Sequence, residues 1–404
     1  MDGLTRLQGS ELYNALPKIL PTVQSKDRLE RTATRWPWVD DLISALYENS
    51  SILLIVAVYV GEGLLIESSL GLDGMMQIQF NYYLLNVFAI FFTACFFTMH
   101  FIVRIPRFVR GEDDLRTAGC EIRERYLTLE TLVGFLLAYL SIAPFISTFQ
   151  SFKETIPRIQ PFAWDETLMK LDYYLHFGNH PWALLQPLLG RPIITRALDI
   201  CYMAWFPLLA GFVLWMAWSR RRMLRLRFFV SFGLVWIVVG TIMATLLSSA
   251  GPCYYSYVTD SDNPFLPLMN YLRSVHEDGS LWAVRNQQGL WDAHLNATHL
   301  PLGGISAMPS MHVAVAVLFA LAGYQVNSWF GRILLAFAMI NLIGSVHLGW
   351  HYAIDGYVAA ALTWMIWEAT PRFFRFPKLD HIENRPGKLG QHIRAADSAV
   401  LRCQ

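Results

Sequence analysis

Gly303-Gly304-Ile305-Ser306-Ala307-Met308-Pro309-Ser310-Met311-His312 leads into an apolar run that ends near Val326. Ser345-Val346-His347-Leu348-Gly349-Trp350-His351-Tyr352-Ala353-Ile354-Asp355 closes the next apolar run and opens another. About one hydrophobic helix separates the two stretches. Each puts histidine, serine or aspartate at the edge of a segment otherwise fit for lipid. Ionisable groups at that depth are costly, so their presence points to function.

The surrounding chain fits a membrane setting. Of its 404 residues 54% are hydrophobic and 16% charged, more apolar than soluble domains. A spanning helix needs about 20 mostly apolar residues. The candidates are Ser51–Ser68, Tyr82–Val103, Leu127–Phe149, Ile193–Trp218, Phe228–Ser249, Ala307–Val326, Ile333–Leu348 and Ile354–Ala369. The expected fold class is therefore all-α, a polytopic integral membrane bundle of about eight transmembrane helices.

Basic residues in short loops mark the cytoplasmic side. Arg104, Arg107, Arg110, Arg116, Arg123 and Arg125 follow the second run, Arg220, Arg221, Arg222, Arg225 and Arg227 the fourth, Arg332 the sixth, and Arg372, Arg375 and Lys378 the last. The long loop from Gly251 to Ser306 holds only Arg273 and Arg285. Both termini are then cytoplasmic and both motifs face outward. Lys153, Arg158, Lys170 and Arg191 depart mildly from this rule on the outer side. There Trp164, Leu168, Leu171 and Leu175 recur at helical spacing. They predict an outer-face amphipathic helix, lying in the headgroup layer or packed on the outer loop.

The expected organisation is a cytoplasmic segment 1–50, a membrane catalytic domain 51–370 with its core at 127–370, and a cytoplasmic tail 371–404. No signal peptide opens the chain, so the first spanning helix is expected to act as an uncleaved insertion signal. A net charge of +1 gives no reason to expect nucleic acid. Cys95, Cys120, Cys201, Cys253 and Cys403 show neither Cys-x-x-Cys spacing nor a disulfide framework.

In the first motif Ser306 suits a helix N-cap. Pro309 is tolerated in a first turn, whose amides lack intrahelical acceptors. Such a terminus binds phosphate, and His312 would lie about a turn and a half inside. In the second motif His347, His351 and Asp355 are spaced by four and would share a face on a continuous helix, although Gly349 can interrupt it. A histidine oriented by a carboxylate is an activated nucleophile or base, and His351 with Asp355 fits best. The rival readings are a zinc site made of these residues and plain structural hydrogen bonding.

The Ser-x-x-Pro-Ser-x-His element at Ser306–His312 and the Leu-Gly-x-His-Tyr-x-x-Asp element at Leu348–Asp355 resemble signatures of the type 2 phosphatidic acid phosphatase superfamily. Phe152-Lys153-x-x-Ile156-Pro157, Trp164-Asp165 and Gly251-Pro252-Cys253-Tyr254-Tyr255 are similar to its inositol phosphorylceramide synthase-like branch and bacterial relatives. The resemblance implies that His351 takes the phosphoryl group, Asp355 orients it and His312 protonates the leaving oxygen. It implies no metal and no organic cofactor. The chain departs where the third signature has arginine, since Ser345 stands there, and the first signature is incomplete, with Gln160-Pro161 after Lys153. Phosphate binding is accordingly expected from Ser310, His347, Lys153, Arg158, Arg273 and Arg285, because the transferring group needs positive charge.

The expected function is transfer of a headgroup phosphate from a glycerophospholipid to a lipid alcohol such as a ceramide. The expected partners are those lipids and the surrounding membrane, in a bacterial inner membrane with the site periplasmic or lumenal. The alternative is hydrolysis of a lipid phosphate or pyrophosphate by the same residues. A non-enzymatic transporter or scaffold is the third class, but paired broken helices in matching halves are not evident.

Overall fold

The computed structural model describes residues 37–71, 78–111, 116, 119, 122, 127–298, 300 and 303–374. Most of the 1–50 segment and of the 371–404 tail lies outside them, as do Cys120, Cys403, Arg123, Arg125, Arg375 and Lys378. The chain divides into units Met1–Tyr47 and Glu48–Gln404. Helix α1 (Pro37–Glu48) covers the described part of the first.

Among the described residues the second unit is helical and contains no strand. Its elements are α2 (Ser50–Leu70), α3 (Ile78–Val109), α4 (Leu129–Ile159), α5 (Asp165–Leu175), α6 (Pro181–Leu189), α7 (Pro192–Met203), α8 (Trp205–Ala217), α9 (Arg222–Ile237), α10 (Leu266–Val275), α11 (Trp282–Leu295), α12 (Met311–Val326), α13 (Ser328–His347) and α14 (Ala353–Phe373). The protein is an all-α, multi-pass membrane bundle. Six helical stretches among the described residues are long and apolar enough to cross a bilayer: Ser50–Ser69, Ile78–Pro106, Thr131–Ile159, Pro192–Ala217, Arg222–Leu246 and Ser328–His347. The 16 residues of α12 reach about 24 Å, short of a hydrocarbon core of about 30 Å.

Three of the differences from the sequence expectation bear on the site. Helix α4 continues past Phe149 to Ile159, so Lys153 and Arg158 stand on a helix rather than in a loop. The run Ile193–Trp218 is broken near Ala204 into α7 and α8. Helix α12 starts at Met311 with Ser310 as N-cap, not at Ala307. Pro309 explains the last shift, since a residue before proline is driven out of the helical region. His312 is thus in the first turn.

Helix α12 packs against α13 and α14, and α9 against α12 and α14. Their shared core includes Phe212, Phe228, Phe232, Phe319 and Trp367, with Phe212 and Phe319 stacked at 4.3 Å. Helices α2 and α3 pack on α4. A π-helical stretch, Val238–Met243, continues α9 and brings Gly240 to the cavity described below.

The amphipathic segment is two helices. On α5, Asp165, Leu168 and Asp172 are buried, whereas Leu171, Tyr174 (74% exposed) and Leu175 lie outside. The predicted stripe is therefore split: Leu168 packs inward, and Leu171 and Leu175 join an apolar outer face.

Candidate active site

The two motifs meet through main-chain contacts. Ser249 carbonyl accepts from the Ala307 amide at 2.9 Å, Ser310 amide donates to the Asp355 carbonyl at 3.2 Å, and Cys253 amide donates to the Gly349 carbonyl at 2.9 Å. Gly251 has φ of 99°, and a Cβ there would lie 2.6 Å from the Trp350 carbonyl oxygen, so only glycine allows this approach. Gly304 has φ of 87°, and its missing Cβ leaves room for the Lys153 backbone, which would otherwise be 2.9 Å away. Lys153 is thereby seated against the first motif.

Helix α13 ends at His347, Gly349 turns the chain with φ of 74°, and α14 begins at Ala353. His347, His351 and Asp355 consequently do not share one helical face. Asp355 folds back over the first turn of α14: its Oδ2 accepts from the Tyr352 amide at 3.0 Å and lies 3.3 Å from His351 Nδ1. With Nδ1 donating to the carboxylate, Nε2 is the ring nitrogen left for a substrate. His347 turns elsewhere. It is fully buried, with Nε2 2.9 Å from Thr195 Oγ1, which in turn meets the Tyr271 hydroxyl at 2.7 Å. It is not among the residues that line the cavity, although the sequence had suggested a place beside the phosphate. The zinc reading needed His347 beside His351, and among the described residues no group of three or more His, Cys, Asp or Glu is placed to hold a metal ion.

Three buried aspartates hold the loops, and two of them were not singled out in the sequence. Asp165 accepts from the Ala250 and Gly251 amides at 2.8 Å each and from the Tyr352 hydroxyl at 2.9 Å. Asp172 accepts from the Ala353 and Ile354 amides at 2.9 and 3.0 Å, capping the helix that carries Asp355. Asp199 accepts from the Trp282 and Ala283 amides, capping α11. Burial pushes the Asp165 and Asp172 carboxyls above the usual carboxylate range, and the donated amides pull the other way. Only Asp165 left a trace in the sequence, through Trp164-Asp165.

His351, His312, Lys153, Arg285, Trp350 and Ser306 line one cavity of about 860 Å³ whose remaining wall is mostly apolar. His312 is set in an aromatic frame, 4.3 Å from the Tyr202 ring and 4.3 Å from the Trp205 ring, with Trp205 Nε1 donating to its carbonyl at 3.1 Å. Ser310 Oγ, His312 Nε2, Trp350 Nε1 and Asp355 Oδ1 are buried without a hydrogen-bond partner among the described residues. Buried polar atoms are nearly always paired; of these four residues His312 and Trp350 line the cavity, so it offers unpaired polar atoms to a ligand.

The expected cations separate. Lys153 and Arg285 are on the cavity wall. Arg285 Nη2 donates to the Gly279 carbonyl at 2.8 Å, and its guanidinium lies 5.2 Å from the Trp282 ring centre. Arg158 lines a neighbouring pocket of about 150 Å³ with Glu154, His294 and Thr298. Arg273 is exposed, bonded to Asn270 at 3.1 Å, and lines neither space. Ser345, standing where an arginine was expected, is buried and donates to the Leu342 carbonyl at 2.8 Å, so no cation comes from that position.

Cavity, paired histidines and cation together suit phosphoryl chemistry on a lipid, and comparison with known proteins agrees. No curated protein and no solved structure matches the chain. Residues 166–369, half of the chain, match the PAP2 superfamily. The chain belongs to the PAP2 superfamily of membrane enzymes, which comprises phosphatases and phosphotransferases.

Proposed function

We propose that this protein is a lipid phosphotransferase with His351 as nucleophile, similar in activity to inositol phosphorylceramide synthases. His351 Nε2 attacks the phosphorus of a glycerophospholipid headgroup phosphate. A nitrogen–phosphorus bond forms and the bond to the diacylglycerol oxygen breaks. That oxygen takes a proton from His312. The hydroxyl of a second lipid, a ceramide or similar alcohol, then attacks phosphorus, returns its proton to His312 and releases His351. Asp355 holds Nδ1 protonated and stabilises the charge that develops on the imidazole, as a carboxylate does for any attacking histidine. Lys153 and Arg285 balance the phosphoryl oxygens, helped by the first-turn amides of α12 and by Ser310.

One observation carries the reading: His351, His312 and Lys153 line a cavity of about 860 Å³ whose remaining wall is mostly apolar. Such walls admit lipid alcohols and disfavour water, which finds too few polar neighbours there. Hydrolysis is the second reading. It is favoured by the polar pocket of Arg158, His294 and Thr298, which adjoins the cavity at Gly304 and Ile305 and offers water a route. The site is taken to face the periplasm or an organelle lumen, as the basic loops indicate.

Purified protein in defined lipids decides between them. Product lipid carrying the headgroup phosphate, formed in step with donor consumption, is the expected result. Inorganic phosphate or water-soluble headgroup phosphate accounting for the turnover overturns transfer in favour of hydrolysis.

A further inference from the structure

The cavity extends well past the catalytic residues. Its second lobe is walled by Leu84 and Phe88 of α3, Ile142 and Ile146 of α4, and Leu209 and Val213 of α8. None of these side chains is polar, so the lobe offers nothing to a headgroup or to water. An acyl chain loses little on moving into it from the bilayer, because the two surroundings are equally apolar and only packing differs. The lobe is continuous with the polar end, where His351 and His312 stand. At its edge Asn81 is held by bonds from its amide to Ser147 Oγ at 2.8 Å and Gln150 Oε1 at 2.9 Å, which fixes the start of α3 against α4.

Two of the three walls come from outside the part of the chain that matches the superfamily. That match begins at residue 166, whereas α3 and α4 end at Val109 and Ile159. Gly211 of α8 lets α3 approach: a Cβ there would lie 2.6 Å from the Phe92 ring. The matched part of the chain therefore supplies the two histidines and one wall, and the helices before it supply Lys153 and the other two walls.

We infer that the lobe between α3, α4 and α8 is an acyl-chain site, and that Leu84, Phe88, Ile146 and Leu209 set the length and shape of the tail the enzyme accepts. The inference rests on the lipid-directed reading above. The lobe orients the substrate: with the tail lodged there, the polar linkage is delivered to the histidines and cannot enter in reverse.

The first test uses the wild-type protein and needs no turnover. A phospholipid with a diazirine at the end of one acyl chain is photolysed with protein in phosphatidylcholine nanodiscs, and adducts are mapped by mass spectrometry. Adducts are expected on the segments containing Leu84–Phe88 and Leu209–Val213, and excess unlabelled lipid should suppress them. Adducts confined to outward residues such as Ile90 and Phe91, untouched by competition, overturn the inference; both are well exposed on the outside of α3.

The second test narrows the lobe with Ala210→Leu, at a further lining residue of α8, and Leu84→Trp. The ratio of kcat/KM for a long-chain substrate to that for a short-chain analogue is expected to fall about tenfold. An unchanged ratio in folded, active variants overturns the inference and leaves the histidine mechanism intact. A wild-type protein that turns over no phosphate ester strikes the mechanism, and the cross-linking result still judges the lobe.

Discussion

Replacing Asp172 by alanine should loosen the active site from a distance. Its carboxylate receives the Ala353 and Ile354 amides at 2.9 and 3.0 Å in a buried setting. Hydrogen bonds to a charged group contribute about 1.5–3 kcal/mol each, and losing an N-cap acceptor costs about 0.5–2 kcal/mol where water can substitute. Buried as it is, this cap should sit between those limits, at about 3 kcal/mol for both bonds together. At about 1.4 kcal/mol per decade, the first turn of α14 then opens on the order of a hundredfold more often. Asp355 and its bond to His351 belong to that turn. Hydrogen exchange in detergent should show the peptide covering 352–356 exchanging on the order of a hundredfold faster, with kcat reduced.

Asp172→Asn keeps one acceptor oxygen and should fall between wild type and alanine. It also tests a sign. Because burial holds the Asp172 carboxyl above its ordinary range, the folded protein binds that proton more tightly than the unfolded chain. The associated stability is full below the unfolded value of about 3.9 and falls as pH rises through the folded value. Asparagine does not titrate, so that fall should be missing from the variant. Wild-type exchange and turnover in Asp172→Ala would refute the claim that this carboxylate holds the catalytic turn.

Lys153→Ala and Arg285→Ala should each lower kcat/KM by about tenfold or more, with Arg273→Ala close to wild type; measuring the three together checks that the cavity-lining cations are the ones in contact with phosphate. His347→Ala should reduce thermal stability by about 1–3 kcal/mol, through loss of the buried bond to Thr195, while the pH profile of the surviving activity keeps its shape; a displaced profile would return His347 to the reacting centre. Cysteines introduced at Asp278 and Arg221 should label from opposite sides of the membrane, and labelling from the same side contradicts the orientation read from the basic loops.

The helices were legible because membrane helices are written as long apolar runs, and each run is helical near its expected place, although Ile193–Trp218 is divided into α7 and α8. Their edges were not. Pro309 moved the start of α12 to Met311, and α4 continued past Phe149 because Lys153 and Arg158 are as acceptable at a helix end as in a loop. His351 with Asp355 was legible because both stand after the turn at Gly349, where the aspartate folds back on the Tyr352 amide and reaches the His351 ring. His347 shared that spacing but stands before the turn, so equal intervals did not bring equal placement. Asp172 and Asp199 left no local signal: each caps a helix far along the chain, a pairing that exists only after folding. Choosing among the four candidate cations likewise required the cavity, since charge in a loop does not reveal which side chains reach one space.

Covalent transfer through His351 is the central step of the proposed reaction. Wild-type protein incubated with a phosphate-labelled donor lipid and quenched in alkali, where a phosphoramidate persists, should carry the phosphoryl or headgroup-phosphoryl mass on the peptide containing His351. A folded His351→Ala protein should show neither the adduct nor turnover above the uncatalysed rate. Substantial activity in a well-folded His351→Ala protein, or an adduct on another residue that forms and decays at the rate of turnover, would contradict it.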